Sequence, residues 1–256
     1  MKNAVLLSFD IEEFDITTEY GQQIPETEIF SVSHQGCKAI LKLLDALGIR
    51  ATLFVTANFA LRYPELIRQA AQTHEIASHG FYHSRFRVAD LADSKQALEQ
   101  ITRTAVVGFR MARLQPVDER AIAAAGYRYN SSLNPTYLPG RYNHLSKPRT
   151  AYRSSGLLNI PVSVTPLIRL PLFWLSFKNL PLWVIKPASA WTLNHDGYLS
   201  LYFHPWEFAN LSDYALPFYV KRHAGQSLLD RLERYLYWLS RRADFITLSD
   251  FARYWH

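Results

Sequence analysis

Short apolar runs that read as buried strands alternate with amphipathic runs that read as helices along most of this 256-residue chain, and this alternation restricts the fold more than any single residue does. Ala4 to Phe9 is strand-like. Gln35 to Leu47 has helical periodicity and stops at Gly48, a residue that readily takes the left-handed turn closing a helix. Ala51 to Val55 is a second strand, and Pro64 opens a helix over Glu65 to Gln72, as proline does at a first helical position. Glu75 to Ala77 is a third strand, Asp90 to Thr104 a helix and Val106 to Phe109 a fourth strand. Val117 to Ala125 is a helix closed by Gly126, followed by a fifth strand over Tyr127 to Tyr129. An irregular stretch rich in Pro, Leu, Trp and Arg occupies 133–190. The order then resumes with a strand over Tyr198 to Phe203, a helix over Ser227 to Leu239, a strand over Phe245 to Thr247 and a short last helix capped by Ser249. Such alternation builds a parallel sheet, open or closed into a barrel, with helices as crossovers. No internal repeat or linker divides the chain, and its length suits one α/β domain over 1–256 with an insertion around 133–190.

Composition narrows the partners. Hydrophobic residues at 48% and charged residues at 20% belong to an ordinary globular protein and exclude a disordered one. The net charge of +6 leaves room for an acidic polysaccharide or a phospholipid surface. Without a Lys/Arg-rich run, no nucleic-acid partner is expected. Cys37 is the only cysteine, so no intramolecular disulfide can form. Met1 to Phe9 is too short for a signal peptide, and the expected location is the cytoplasm or the inner face of the membrane. The apolar stretch from Leu157 to Ile185 is interrupted by Arg169, Lys178 and four prolines, whereas a membrane span needs about 20 mostly apolar residues. It reads either as an irregular excursion packed on the sheet or as a Trp/Phe/Leu-rich surface (157–185) making peripheral contact with a lipid interface or a lipid-linked substrate.

Five chemistry-bearing residues fall at the carboxyl ends of the expected strands: Asp10, His79, Arg110, Asn130 and His204. In a barrel, that rim is where active sites are built. His79 and His83 are four apart and face the same way if the segment is helical, and neutral imidazole is a common zinc ligand. In a chain with nine histidines, such a spacing also arises by chance. Asp10, Glu12 and Glu13 are either an acidic helix start or a division of labour in which one carboxylate binds an ion and another takes a proton from water. Arg110 is either a surface ion pair or a fixed cation that positions a catalytic carboxylate. His204 is either a core histidine or a proton donor.

Taken together, the segments Ser8-Phe9-Asp10-Ile11-Glu12-Glu13-Phe14, Ala51-Thr52-Leu53-Phe54-Val55, Ser78-His79-Gly80-Phe81-Tyr82-His83, Gly108-Phe109-Arg110, Tyr129-Asn130-Ser131-Ser132, Ile160-Pro161-Val162-Ser163 and Tyr202-Phe203-His204-Pro205-Trp206-Glu207 resemble the NodB-type polysaccharide deacetylases of carbohydrate esterase family 4. The likeness is greatest to the surface-polysaccharide (O-antigen) branch whose first motif reads Asp-Val-Glu-Asp. The resemblance implies a distorted (β/α) barrel of seven or eight strands and a divalent metal ion, zinc by expectation. It implies Asp10 as base, Arg110 as its tether, His204 as acid, and His79, His83 and one carboxylate as metal ligands. Glu12 is the preferred carboxylate and Glu13 the alternative, since side chains two apart on an extended segment share a face with Asp10. Arg113 and Trp206 are the expected substrate contacts. Three departures stand out: Ile11-Glu12-Glu13 in place of adjacent aspartates, Met111-Ala112-Arg113 in place of a Pro-Tyr or Pro-Phe pair after the arginine, and Asn130 in place of a frequent aspartate. A backbone N–H from the altered segment still supplies an oxyanion contact. The implied reaction is removal of an N-acetyl or similar group from an amino sugar, in a polysaccharide or its nucleotide- or lipid-linked precursor. The alternatives are a catalytically degenerate carbohydrate-binding protein and a cyclic-amide amidohydrolase.

Overall fold

A computed structural model describes residues 3–255, so Met1 and Lys2 of the N-terminal segment lie outside it. The chain runs β1 (Ala4–Ile11), α1 (Glu26–Leu47), β2 (Thr52–Val55), α2 (Ala57–Arg62), α3 (Pro64–Ala70), β3 (Glu75–Ser78), α4 (Asp90–Thr102), β4 (Gly108–Phe109), α5 (Glu119–Ala124) and β5 (Tyr129–Asn130). It continues with β6 (Tyr137–Leu138), β7 (Tyr142–Asn143), β8 (Tyr152–Ser154), β9 (Leu157–Asn159), α6 (Trp174–Asn179), α7 (Leu182–Asp196), β10 (Tyr198–Phe203), α8 (Phe218–Lys221), α9 (Gln226–Ser240), β11 (Asp244–Phe245) and α10 (Leu248–Tyr254).

β1 is buried along its whole length, as a strand covered on both faces must be, which is why its sequence is a nearly unbroken apolar run. It lies between β10 and β2, and the sheet continues through β3, β4, β5 and β9 with every one of these pairings parallel. β8 closes the edge antiparallel to β9, and β11 pairs with the start of β1. The sheet curls into a distorted barrel. Between β9 and β10 no regular strand pair forms among the described residues, and the gap is bridged by the Ser163 N–H donating to Ser200 O at 2.9 Å.

The irregular stretch supplies real elements. β8 and β9 form a hairpin on the sheet, β6 and β7 a second hairpin, and α6 and α7 pack on β10. Among the described residues no helix is long and apolar enough to cross a membrane.

Three local expectations shift. α1 begins at Glu26 rather than near Gln35, because Pro25 sets the entry and its carbonyl accepts the N–H groups of Glu28 and Ile29. Phe30, Ser33, Gly36, Cys37, Ile40, Leu43 and Leu44 then form its buried face. Thr247, not Ser249, caps α10, its hydroxyl accepting the Asp250 N–H at 3.1 Å. β4 and β5 are two-residue strands, shorter at their starts than the apolar runs suggest.

Candidate metal centre and active site

Asp10, His79, Arg110, Asn130 and His204 all sit at or just past the carboxyl ends of β1, β3, β4, β5 and β10, on one rim of the barrel. His79 and His83 lie on a loop, not a helix, and Gly80 at φ +83° turns the chain between them. The loop still brings both Nε2 atoms onto one oxygen. Glu12 Oε2 is 3.0 Å from His79 Nε2 and 3.1 Å from His83 Nε2.

Each ring is held from behind. His79 Nδ1 lies 2.9 Å from the Arg110 carbonyl, an obligate acceptor, so that nitrogen carries the proton and Nε2 presents its lone pair. His83 Nδ1 lies 2.5 Å from Asp15 Oδ1. Glu12 Oε1 accepts from the Trp206 indole at 3.1 Å. One ligand atom from each of Glu12, His79 and His83 falls within 4.8 Å of the others, and all three residues are buried. Glu13 turns away, accepting from Thr56 Oγ1 at 2.7 Å and Asn58 Nδ2 at 2.6 Å. Burial works against a charge on Glu12, but the neighbouring imidazoles, those of His83 and His204 foremost, hold its carboxyl well below the usual range. Burial works against a charge on His83, but Glu12 and Asp15 push its pKa up to about 9.

Arg110 is fully buried beneath this cluster. Its Nη1 donates to Asp10 Oδ1 at 2.6 Å and to Ser8 Oγ at 3.0 Å, its Nε to Ser131 O at 3.1 Å and its Nη2 to Ser131 Oγ at 2.9 Å. The guanidinium also lies 4.0 Å from the Phe54 ring centroid, a stacked cationic contact. Asp10 is thus tethered through one oxygen, while its other oxygen lies 4.0 Å from His79 Nε2.

His204 approaches the other oxygen of Glu12, its Nε2 4.0 Å from Oε1. Glu207 Oε1 accepts the His204 backbone N–H at 2.8 Å and lies 3.1 Å from Nδ1. Burial opposes the imidazolium, but Glu12, Glu207 and Asp10 raise its pKa above the ordinary histidine value. Gly36 is what allows α1 to reach this turn: a Cβ there would fall 1.8 Å from Pro205 O.

The groups open into a cleft at the rim. Its walls include Arg113, Leu114, Tyr142, Phe173, Trp174 and Trp206. Arg113 and Leu114 both have left-handed backbone, φ 56° and 51°, a strained conformation for such residues. Arg113 faces Glu19 at 2.8 Å and Asp15 at 3.5 Å. Trp206 is buried and stacks on His204 with ring centroids 5.0 Å apart. Asn130 donates to Asn159 Oδ1 and accepts from Ser132 Oγ, and Ser132 Oγ also accepts the Met111 N–H.

Sequence reasoning misses Asp15, Glu207 as the partner of His204, and Lys178, whose Nζ lies 3.2 Å from Glu207 Oε2.

A family model described as polysaccharide deacetylase matches residues 2–129. No curated protein matches the chain in sequence. Among solved structures, a protein assigned to the polysaccharide deacetylases of Pseudomonas aeruginosa PAO1 superposes with a TM-score of 0.71 at 18% identity, covering 99% of this chain and 90% of that one. One assigned likewise from Mycobacterium smegmatis has a TM-score of 0.69 at 19% identity, covering 98% and 88%. Puue allantoinase has a TM-score of 0.70 at 18% identity, covering 99% and 90%.

Proposed function

The chain belongs to the polysaccharide deacetylase family, and from that premise we propose that it is a metal-dependent deacetylase removing an N-acetyl or similar acyl group from an amino sugar, in a polysaccharide or in its nucleotide- or lipid-linked precursor. The observation that carries this reading is the convergence of His79 Nε2 and His83 Nε2 on Glu12 Oε2, with the Arg110-tethered Asp10 4.0 Å from His79 Nε2 and His204 Nε2 4.0 Å from Glu12 Oε1.

One carboxylate and two imidazoles, each ring fixed through its other nitrogen, form a donor set that fits zinc or a similar divalent ion. When bound, the ion supplies Lewis-acid polarisation of the scissile carbonyl and acidifies water. Asp10 takes the proton of the attacking water, its carboxylate held in place by Arg110. The Met111 N–H is already committed to Ser132 Oγ and those of Leu114 and Gln115 to the carbonyls of Met111 and Ala112, so an oxyanion contact from this segment would rest with Ala112 or Arg113. His204 gives its Nε2 proton to the departing amine, and the acyl carbon–nitrogen bond breaks to release acetate. Arg113 and the Trp206 side of the cleft position the sugar. Leu167, Ile168 and Trp183 are exposed within 157–185 and suit peripheral contact with a lipid surface or a lipid carrier.

Replacing His79 with Ala tests the reading: metal uptake and acetate release are both expected to disappear. A fully active variant would sink it. Because Puue allantoinase is a close structural neighbour, a cyclic amide is the second substrate class, and turnover of a hydantoin-type ring without acetate release from any N-acetyl sugar would favour it.

A further inference from the structure

Lys178 lies in α6, within the irregular stretch, and its side chain is fully buried. Its ammonium donates to Val220 O at 2.7 Å, lies 3.2 Å from Glu207 Oε2, and sits 5.6 Å from the ring centroids of both Trp174 and Trp206. The Glu207 side chain is equally buried, and its other oxygen is the one that meets the His204 backbone N–H and Nδ1. Lys178, Glu207 and His204 therefore form one chain of contacts leading from the core to the cleft.

We propose that Lys178 is a positioning residue for His204: it fixes the Glu207 carboxylate, which holds the His204 ring with Nδ1 as donor and Nε2 facing the cleft. The inference rests on the reading of His204 as the proton donor to the leaving group. A buried ion pair is a weak device for stability, since packed apolar residues in its place commonly serve as well. A glutamine would also accept the His204 backbone N–H, so capping does not call for a charge. What calls for a carboxylate is an imidazolium: Glu207 stabilises it before transfer and keeps Nδ1–H after Nε2 has passed its proton to the leaving atom. Glu207 without a cation would be a lone buried charge, and Lys178 is the cation in contact with it. Two tryptophans close the pair off from the cleft and fix the ammonium over their faces.

Zinc-loaded wild type, Lys178→Met, the double variant Lys178→Met/Glu207→Gln and His204→Ala are compared on a series of substituted phenyl acetates, from 4-nitrophenyl to 4-methoxyphenyl. The double variant contains no unpaired buried charge, so it is expected to recover the melting temperature that Lys178→Met loses. Its kcat is expected to fall with leaving-group pKa, at least tenfold more on 4-methoxyphenyl than on 4-nitrophenyl acetate, with KM little changed. A double variant that regains wild-type kcat across the series, or loses rate equally on every ester, would overturn the proposal. His204→Ala separates the two failures. A flat series in that variant refutes the role of His204 itself, whereas a steep series there beside a wild-type-like double variant refutes only the role of the Lys178–Glu207 pair behind it.

Discussion

Asp15 Oδ1 lies 2.5 Å from His83 Nδ1, so the ring is clamped between that carboxylate and Glu12 Oε2, which is 3.1 Å from its Nε2. Asp15 occupies the N-cap position of the 3-10 turn over Ile16–Tyr20, yet its side chain makes no capping hydrogen bond there. The cap is left unmade and the carboxylate serves the imidazole instead.

Removing that clamp has a measurable consequence. Partners behind a metal-bound histidine commonly contribute 10–100-fold to affinity. Asp15→Ala is therefore expected to weaken zinc binding by about that factor with the fold intact, and Asp15→Asn, which keeps an acceptor, by less. Competition with a chromophoric chelator measures both. Equal affinity in all three proteins would exclude Asp15 from the site.

Proton competition follows from the same contacts. His83 is pushed up to about 9 in the metal-free protein, because Glu12 and Asp15 outweigh burial. Below that value the ring holds a proton that an ion must displace. Apparent zinc affinity is expected to fall about tenfold per pH unit as the pH drops from 8.5 to 6.5, with one proton released per ion. Calorimetry in two buffers of different ionisation enthalpy counts that proton. In the metal-free state the sign for stability is opposite: the contribution is complete below the ordinary value of 6.5 and fades as the pH rises towards about 9.

Gly36 ties helix packing to the site. A methyl group there would sit 1.8 Å from Pro205 O and 2.5 Å from Pro205 C, both backbone atoms that no rotamer can move. Gly36→Ala must displace either α1 or the turn carrying His204 and Trp206. Overpacking of this kind costs about 1–3 kcal/mol or more. At roughly 2–4 °C per kcal/mol for a chain of this size, the melting temperature is expected to fall by several degrees. Because the shifted turn bears His204, kcat is expected to drop as well. A wild-type rate in a destabilised variant would mean that α1 alone gives way.

The rim positions were legible because strands covered on both faces leave nearly uninterrupted apolar runs, broken here only by a serine, and the first charged or imidazole-bearing residue after such a run marks the carboxyl end. Asp10, His79, Arg110 and His204 could be placed in this way. Asp15 could not. Its partner His83 is 68 residues away, and Asp-Ile-Thr-Thr reads locally as an ordinary cap. Lys178 was hidden more deeply. In sequence it is a charge breaking an apolar stretch, whereas in the fold it is core. The available signal was Glu207, an acid four residues past a buried strand's end, which demands a cation once it is buried. The His pair shows the reverse case: the spacing suggested a helix, and a glycine-turned loop achieves the same convergence.

The Arg110 contacts separate charge from geometry. Arg110→Lys keeps a cation for Asp10, but a single ammonium cannot reproduce the four side-chain hydrogen bonds that the guanidinium makes with Ser8, Asp10 and Ser131. The Ser131 carbonyl is then left without its buried donor. Arg110→Ala removes the cation too, leaving Asp10 as an uncompensated buried charge, a change that costs about 3–5 kcal/mol in comparable pairs. Urea unfolding should therefore rank wild type above the Lys variant and the Lys variant above Ala. In kcat, both variants are expected to lose about a hundredfold or more, because in the proposed mechanism Asp10 serves as base only when its free oxygen is aimed at the cleft. If Arg110→Lys kept full activity, charge alone would suffice, and the fork-shaped tether would be a matter of stability rather than catalysis.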